Sequence, residues 1–375
     1  MKRWDKVKLV ISDCHLSAGR FYESKLNPHE DFHFDDEMCD MFNYFSTGPF
    51  GEVDGQSIDV ELVIAGDYLD FLNVPIMGEF EDAITEENAL KKLHAIMNGH
   101  PHVMAALKRF AGLPGKTITY LIGNHDAELF FPKVAEAIVR AWDPQGRFPS
   151  EKVKVVNDRD RLEYEEGFEI RHGNQEESGN ELDFEEPLVK TDDGRQVLNI
   201  PWGSVYVLKI INRLKWEREY LDKIRPIRVF FVFGLFFDTW FTIRFGLLSF
   251  FYFIRTRLLA NPVKRFSLKR MWQRYREESA FFLDLERSAR RMLDENPKIK
   301  TIIMGHTHRP MNKVYPDGKQ YINTGTWTKM IDLDWRGLGQ QFRRTFALVL
   351  VKDGQAVCDL RQWMGEHSPH KIFQG

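Results

Sequence analysis

A chain of 375 residues, 43% of them hydrophobic and 29% charged, has the make-up of a folded protein and not of a disordered one. Its length suits one large domain with insertions, or two domains. Three scattered cysteines, Cys14, Cys39 and Cys358, give neither a disulfide framework nor metal-ligand spacing and fit a reducing compartment. The start, Met1 to Lys8, is polar and basic, so no export signal is expected there.

In chain order, Val7 to Ser12 is a short apolar run ending in Asp13-Cys14-His15. Residues two apart on an extended segment point the same way, so Asp13 and His15 can face one ion. Lys25 to Ser46 is predicted helical in its second half, with Met38, Met41, Phe42 and Phe45 on one face. Ahead of it, His29, His33, Asp35 and Asp36 read as a solvated helix start sooner than as metal ligands, because Asp favours the first turn. Val60 to Ala65 is a buried strand that ends in Gly66-Asp67-Tyr68-Leu69-Asp70. Thr85 to Met97 has the spacing of an amphipathic helix. Thr117 to Ile122 is a third strand, followed by Gly123-Asn124-His125-Asp126, and Pro132 to Trp142 is a further helix. Phe168 to Arg171 then leads into His172-Gly173-Asn174. A neutral asparagine oxygen is a good ligand for a hard metal ion.

Residues 173–298 change character. An acidic cluster, Glu176, Glu177, Glu181, Asp183, Glu185 and Glu186, reads as a solvated loop. From Pro201 to Arg276 the net charge is +12, against −3 for the whole chain, so a basic element sits on an acidic body. Inside it, Val229 to Ile254 holds ten phenylalanines and only two charged residues, Asp238 and Arg244. As one helix it would be about 39 Å long, enough to cross a bilayer. A single crossing would leave His306 and His308 on the opposite side from Asp13, Asp67, Asn124 and His172. The segment is therefore expected to lie in the interface, to dip and return, or to be covered by protein, with its basic flanks favouring anionic headgroups.

Ser267 to Asn296 reads as a long helix with a stripe of Phe282, Leu285, Ala289, Met292 and Leu293. Its first part carries Lys264, Arg265, Lys269, Arg270, Arg274 and Arg276, a face for phosphates or for solvent. Lys300 to Met304 is a buried strand, and Gly305 is expected to let the backbone turn before His306 and His308. Asn323, Thr324 and Gly325, after a strand Gln320 to Ile322, are expected to return to the same place. Phe346 to Val351 and Ala356 to Leu360 form a closing hairpin.

The set Asp13-x-His15, Gly66-Asp67-x-x-Asp70, Gly123-Asn124-His125-Asp126, His172 and Gly305-His306-x-His308 resembles the calcineurin-like metallophosphoesterases, motif by motif and in order. The resemblance implies a four-layer α/β/β/α sandwich formed by residues 1–172 and 299–375, with 173–298 inserted as a helical lid. It also implies two divalent ions, manganese before iron or zinc. Asp13, His15, Asp67 and His308 would hold one, and Asp67, Asn124, His172 and His306 the other. His125 would serve the leaving oxygen, with Asp126 orienting it; Asp70 would have a supporting or turn-stabilising role. The apolar, basic insert is similar to the lid of the UDP-2,3-diacylglucosamine hydrolases, although those are shorter and usually carry arginine in place of His125. That implies a lipid-linked phosphate or pyrophosphate as substrate, an anionic membrane surface as partner, no nucleic acid, and a place on the cytoplasmic face. The alternatives are a phosphodiesterase or nuclease for a soluble substrate and, more remotely, an inactive scaffold.

Overall fold

The computed structural model describes residues 4–53, 56–225, 227–255, 285–333, 339–365 and 370–372. The basic run from Arg257 to Arg276, Phe282, and the first part of the expected helix from Ser267 lie outside the described residues.

Two sheets carry the chain. In the larger, the order is His370–Ile372, Gln355–Trp363, Thr345–Lys352, Lys6–Ile11, Asp59–Ala65, Lys116–Leu121, Val153–Val156. Lys6–Ile11 pairs parallel with Asp59–Ala65 and antiparallel with Thr345–Lys352. In the smaller, Thr301–Met304 lies parallel to both Phe168–Arg171 and Gln320–Asn323, with Arg161–Tyr164 and Met311–Val314 antiparallel at the two edges. These central strands are buried along nearly their whole length, as their continuous Val, Ile and Leu runs require.

Alternation along the strands divides the side chains between separate cores. Val10, Val63, Ala65 and Val349 of the larger sheet meet Phe168, Ile170, Ile303 and Ile322 of the smaller. Leu9, Ile11, Leu62 and Ile64 face the other way, toward the helices Asp35–Ser46, Glu86–Gly99, Pro101–Gly112 and Pro132–Trp142. Ile302, Met304 and Tyr321, on the far face of the smaller sheet, pack under Leu285, Ala289 and Leu293 of the helix Leu285–Glu295. The strands' carboxyl ends therefore converge where two sheets meet, and the motifs sit there.

Pro101–Gly112 is a helix that the sequence reading passed over. Val103, Met104, Ala106, Leu107, Phe110 and Ala111 form its buried stripe, with proline at the first position and glycine at the last.

The expected solvated helix start is partly wrong. His33 is exposed, but His29 is buried and its Nε2 lies 2.8 Å from the Asn212 carbonyl. Asp31 is buried between Lys215 (2.9 Å) and Lys223 (2.7 Å). His29 and Asp31 face the segment around Asn212, Lys215 and Lys223, whose polar groups replace water.

The segment from Trp202 to Phe253 is anchored in three ways. A rod made of Trp202–Tyr206, a π-helical turn Val207–Ile211 and Asn212–Lys215 carries the Lys215 contact. Ile224–Arg225 adds a parallel strand to Met330–Asp332. Ile211, Leu214, Leu221, Ile224, Phe230, Phe241 and Phe245 form a small core of their own. The apolar run folds as two helices, Ile227–Phe237 and Thr239–Phe253, broken at Asp238. Their axes approach closely at Gly234, where a side chain would collide with Thr242. No helix among the described residues is long and apolar enough to cross a membrane.

Candidate metal centre

Three of the five motifs leave their strands by turns that hold the backbone under strain. Asp13, His15, Asp67, His306 and His308 all have left-handed φ, between +51° and +68°. Such conformations cost non-glycine residues on the order of 1–3 kcal/mol each and cluster at functional sites. The glycines do more than let the chain turn. Gly305 does not have a left-handed φ; glycine is required because a Cβ there would run into the Asp13 carboxylate. Gly66 does turn left-handed (φ +83°), and a Cβ there would strike the His172 ring. The glycines are where one motif's side chain crosses another motif's backbone.

The crossings are fixed by hydrogen bonds. The His306 N–H donates to both Asp13 oxygens (3.0 and 2.9 Å), and the His125 N–H donates to Asp67 Oδ1 (2.8 Å). The Asn323–Thr324 return, as expected, is close by. Thr324 Oγ1 lies 2.6 Å from Ser12 Oγ, and the Thr326 hydroxyl donates to the Asp13 carbonyl (2.6 Å).

Side chains from opposite ends of the chain meet as a result. His15 Nε2 lies 3.0 Å from His308 Nε2, which lies 3.3 Å from Asp13 Oδ1. Across the site, His172 Nε2 is 3.1 Å from Asp67 Oδ2. The ligand atoms of Asp13, His15 and His308 lie within 4.8 Å of one another, as do those of Asp67, His172 and His306. His125 falls in a third such group with His15 and Asp67. Asn124 Oδ1 is buried with no hydrogen-bond partner among the described residues, and His172 Nε2 is buried with only the Asp67 carboxylate beside it. A buried acceptor left unmatched costs stability, and a divalent cation satisfies it. Oxygen and nitrogen donors without thiolates suit manganese, iron or zinc.

One expected role moves. Asp126 does not orient His125: its carboxylate accepts from the Tyr68 N–H (3.1 Å), the Tyr120 hydroxyl (2.6 Å) and the Gly123 N–H. It clamps the turn. Burial and the nearby Asp67 charge push its pKa up to about 7. The orienting carboxylate is Asp70, fully buried, which accepts from His15 Nδ1 (2.9 Å) and His125 Nδ1 (3.0 Å). Burial opposes its ionisation, but the two imidazoles outweigh that and hold it far below the usual carboxylate range. In return, despite burial, Asp70 and Asp67 lift His125 to about 10.

A further residue escaped the sequence reading. Glu177, placed there in a solvated acidic loop, reaches in to put Oε2 2.6 Å from His306 Nε2. Its neighbour Glu176 pairs with Arg291 on the helix Leu285–Glu295 (2.7 Å). Nothing in an acidic run distinguishes the one carboxylate that turns inward.

No family model and no curated protein matches this chain. Among solved structures, it is similar to a dimetal phosphatase from Danio rerio at 11% identity, covering 98% of each chain, with a TM-score of 0.39. It is also similar to a single mutant of Vps29 from Entamoeba histolytica at 12% identity, over 98% of this chain and 99% of that one, with a TM-score of 0.29. Vacuolar protein sorting 29 from Cryptosporidium parvum follows at 12% identity, over 97% and 100%, with a TM-score of 0.26. At these scores the likenesses carry none of the functional reading.

Proposed function

We propose that this chain is a two-metal-dependent phosphoesterase that works at a membrane surface on a lipid-linked phosphate or pyrophosphate. The observation that carries the metal reading is the cluster of Asp67, His172 and His306, whose ligand atoms lie within 4.8 Å of one another, together with Asn124 Oδ1, buried and unmatched among the described residues. Asp13, His15, Asp67 and His308 would hold one ion, and Asp67, Asn124, His172 and His306 the other, with Asp67 common to both. Manganese is the first choice, iron or zinc the next. Such ions supply a Lewis acid for a phosphoryl oxygen and lower the pKa of water.

The protein's own groups do the rest. Asp70 fixes Nδ1 of His125, leaving the other ring nitrogen to hand a proton to the leaving oxygen. His125 is the more open of the two histidines on Asp70, with 18% of its side chain exposed against 5% for His15. The strained turns hold the donors in place before substrate arrives.

The layers, helices on sheet on sheet on helix, support the four-layer sandwich, with 173–298 as its lid. The lid supports the lipid reading. At the tip of its hairpin Phe236, Phe237 and Trp240 are 79%, 82% and 77% exposed. Its helices have 11 and 15 residues, and at about 1.5 Å per residue they fall short of a hydrocarbon core of about 30 Å. A shallow dip with Arg218 and Arg244 at headgroup level fits both facts. UDP-2,3-diacylglucosamine is the leading substrate within this reading, and the inner face of the cell membrane the place.

Chelation tests the metal half. Stripping divalent ions should abolish hydrolysis of bis(p-nitrophenyl) phosphate, and manganese should restore it best. Full activity of the chelated protein would overturn the reading.

A further inference from the structure

Asp70 serves two rings at once. Its Oδ1 faces His125 Nδ1 (3.0 Å) and its Oδ2 faces His15 Nδ1 (2.9 Å). A carboxylate turns easily about its last bond, a broad and roughly two-fold torsion, so nothing covalent keeps each oxygen on its ring. The backbones are pinned already. The Asp70 N–H donates to the Leu16 carbonyl (2.8 Å), and the Phe71 N–H donates to the His125 carbonyl (3.1 Å). The plane of the carboxylate is the freedom that remains.

Asn73 removes it. The Asn73 N–H donates to Oδ1 (3.1 Å) and Asn73 Nδ2 donates to Oδ2 (2.8 Å), one bond on each oxygen. With the two imidazoles, each oxygen then has two partners, which fills the lone pairs of a carboxylate. Rotating the group breaks a bond at each end. Turning the amide over would set its oxygen against the carboxylate, so Nδ2 is the atom that faces Asp70. Asn73 is itself held: the Ser17 hydroxyl donates to its carbonyl (3.3 Å), and Asn212 of the rod donates to the carbonyl of Leu72 (2.7 Å).

The two bonds differ in what they imply. A backbone N–H on a nearby carboxylate is usual in turns and caps. The side-chain bond is not required by the turn, and it has a cost. Asn73 Oδ1 is buried with no hydrogen-bond partner among the described residues, which a side chain placed for the fold alone would avoid.

We propose that Asn73 is a positioning residue for the proton-transfer step, acting on His125 by fixing the plane of the Asp70 carboxylate. The assignment rests on the phosphoesterase reading above, in which His125 hands a proton to the leaving oxygen.

Kinetics on two diesters decide it, with manganese at saturation because His15 leans on the same carboxylate. Diphenyl phosphate releases a phenol that needs a proton, and bis(p-nitrophenyl) phosphate releases one that needs it much less. Asn73→Ala should lose about tenfold or more in kcat on the first, and at least about three times less on the second, with KM little changed. In a His125→Ala background the same substitution should cost no more than about twofold, because the ring it positions is gone. Asn73→Ser, which keeps a donor near Oδ2, should show the same pattern with a smaller loss, and it carries the test if Asn73→Ala does not fold. Equal losses on the two diesters, a full loss in the His125→Ala background, or no loss at all would each overturn the proposal. A wild type that hydrolyses neither diester in a metal-dependent way would instead sink the phosphoesterase reading, and the positioning role with it.

Discussion

Asp70 and Asp126 show how much a single residue's surroundings decide. Both are buried acids near His125, yet one is held ionised by two imidazoles and the other is pushed toward its neutral form by burial and by Asp67. His125 is accordingly expected to act through Asp70. His125→Ala should keep both ions and lose on the order of 10²–10⁴-fold in rate, the usual worth of general acid catalysis. The loss should shrink with a substrate whose leaving group needs no proton. Metal analysis beside the kinetics checks this, and loss of an ion in the variant would make His125 a ligand. At this scale the sequence exposed the motif residues, because all five motifs stand at strand ends and three of them follow a glycine, Gly66, Gly123 and Gly305. It did not expose the Asp70 pairing. Asp126 is next in sequence to His125 while Asp70 is 55 positions away, and only the folded turn shows which carboxylate arrives.

The element on which the substrate reading depends is the helical hairpin Ile227–Phe237 and Thr239–Phe253. Its inward residues, Phe230, Phe241 and Phe245, build a core, whereas Phe236, Phe237, Phe250 and Phe251 stand 58–82% exposed. So large an apolar surface is costly in water. Changing those four to serine should release the protein from vesicles containing anionic lipid, as followed by flotation. It should also cut turnover of a lipid-linked substrate far more than turnover of bis(p-nitrophenyl) phosphate. Equal losses on both substrates would reduce the hairpin to ordinary core and remove the lipid hypothesis. The apolar run and its basic flanks were plain in the sequence. The break at Asp238 was less so: Arg218 pairs with this acid (2.7 Å) from 20 residues away, a long-range contact that no local pattern announces.

At the scale of the whole molecule, the order of strands along each sheet was the least legible feature. Antiparallel edges and parallel centres share the same alternating residues, so periodicity does not separate them. Buried charge was equally hidden. His100, between Glu86–Gly99 and Pro101–Gly112, lies 2.8 Å from Asp35 and 3.2 Å from Glu30. Burial pulls its pKa down, but the two carboxylates outweigh that and lift it to about 9 from an ordinary 6.5. A raised histidine pKa stabilises the fold below the unfolded value, and that stability is lost as pH rises through the folded value. His100→Gln should thus cost on the order of 3 kcal/mol near neutral and acidic pH, and little above about pH 9.5. Urea unfolding of both proteins at the two pH values measures it. A cost that stays constant with pH would mean that His100 acts by packing alone.

The central claim is that Asp67 stands between two metal ions. Crystals of the manganese-loaded protein, with diffraction recorded at the manganese absorption edge, test it most directly. Two anomalous peaks about 3.5–4 Å apart are predicted, one on each side of the Asp67 carboxylate, with Asn124, His172 and His306 around one and Asp13, His15 and His308 around the other. A single peak, or none at these residues, would contradict the account.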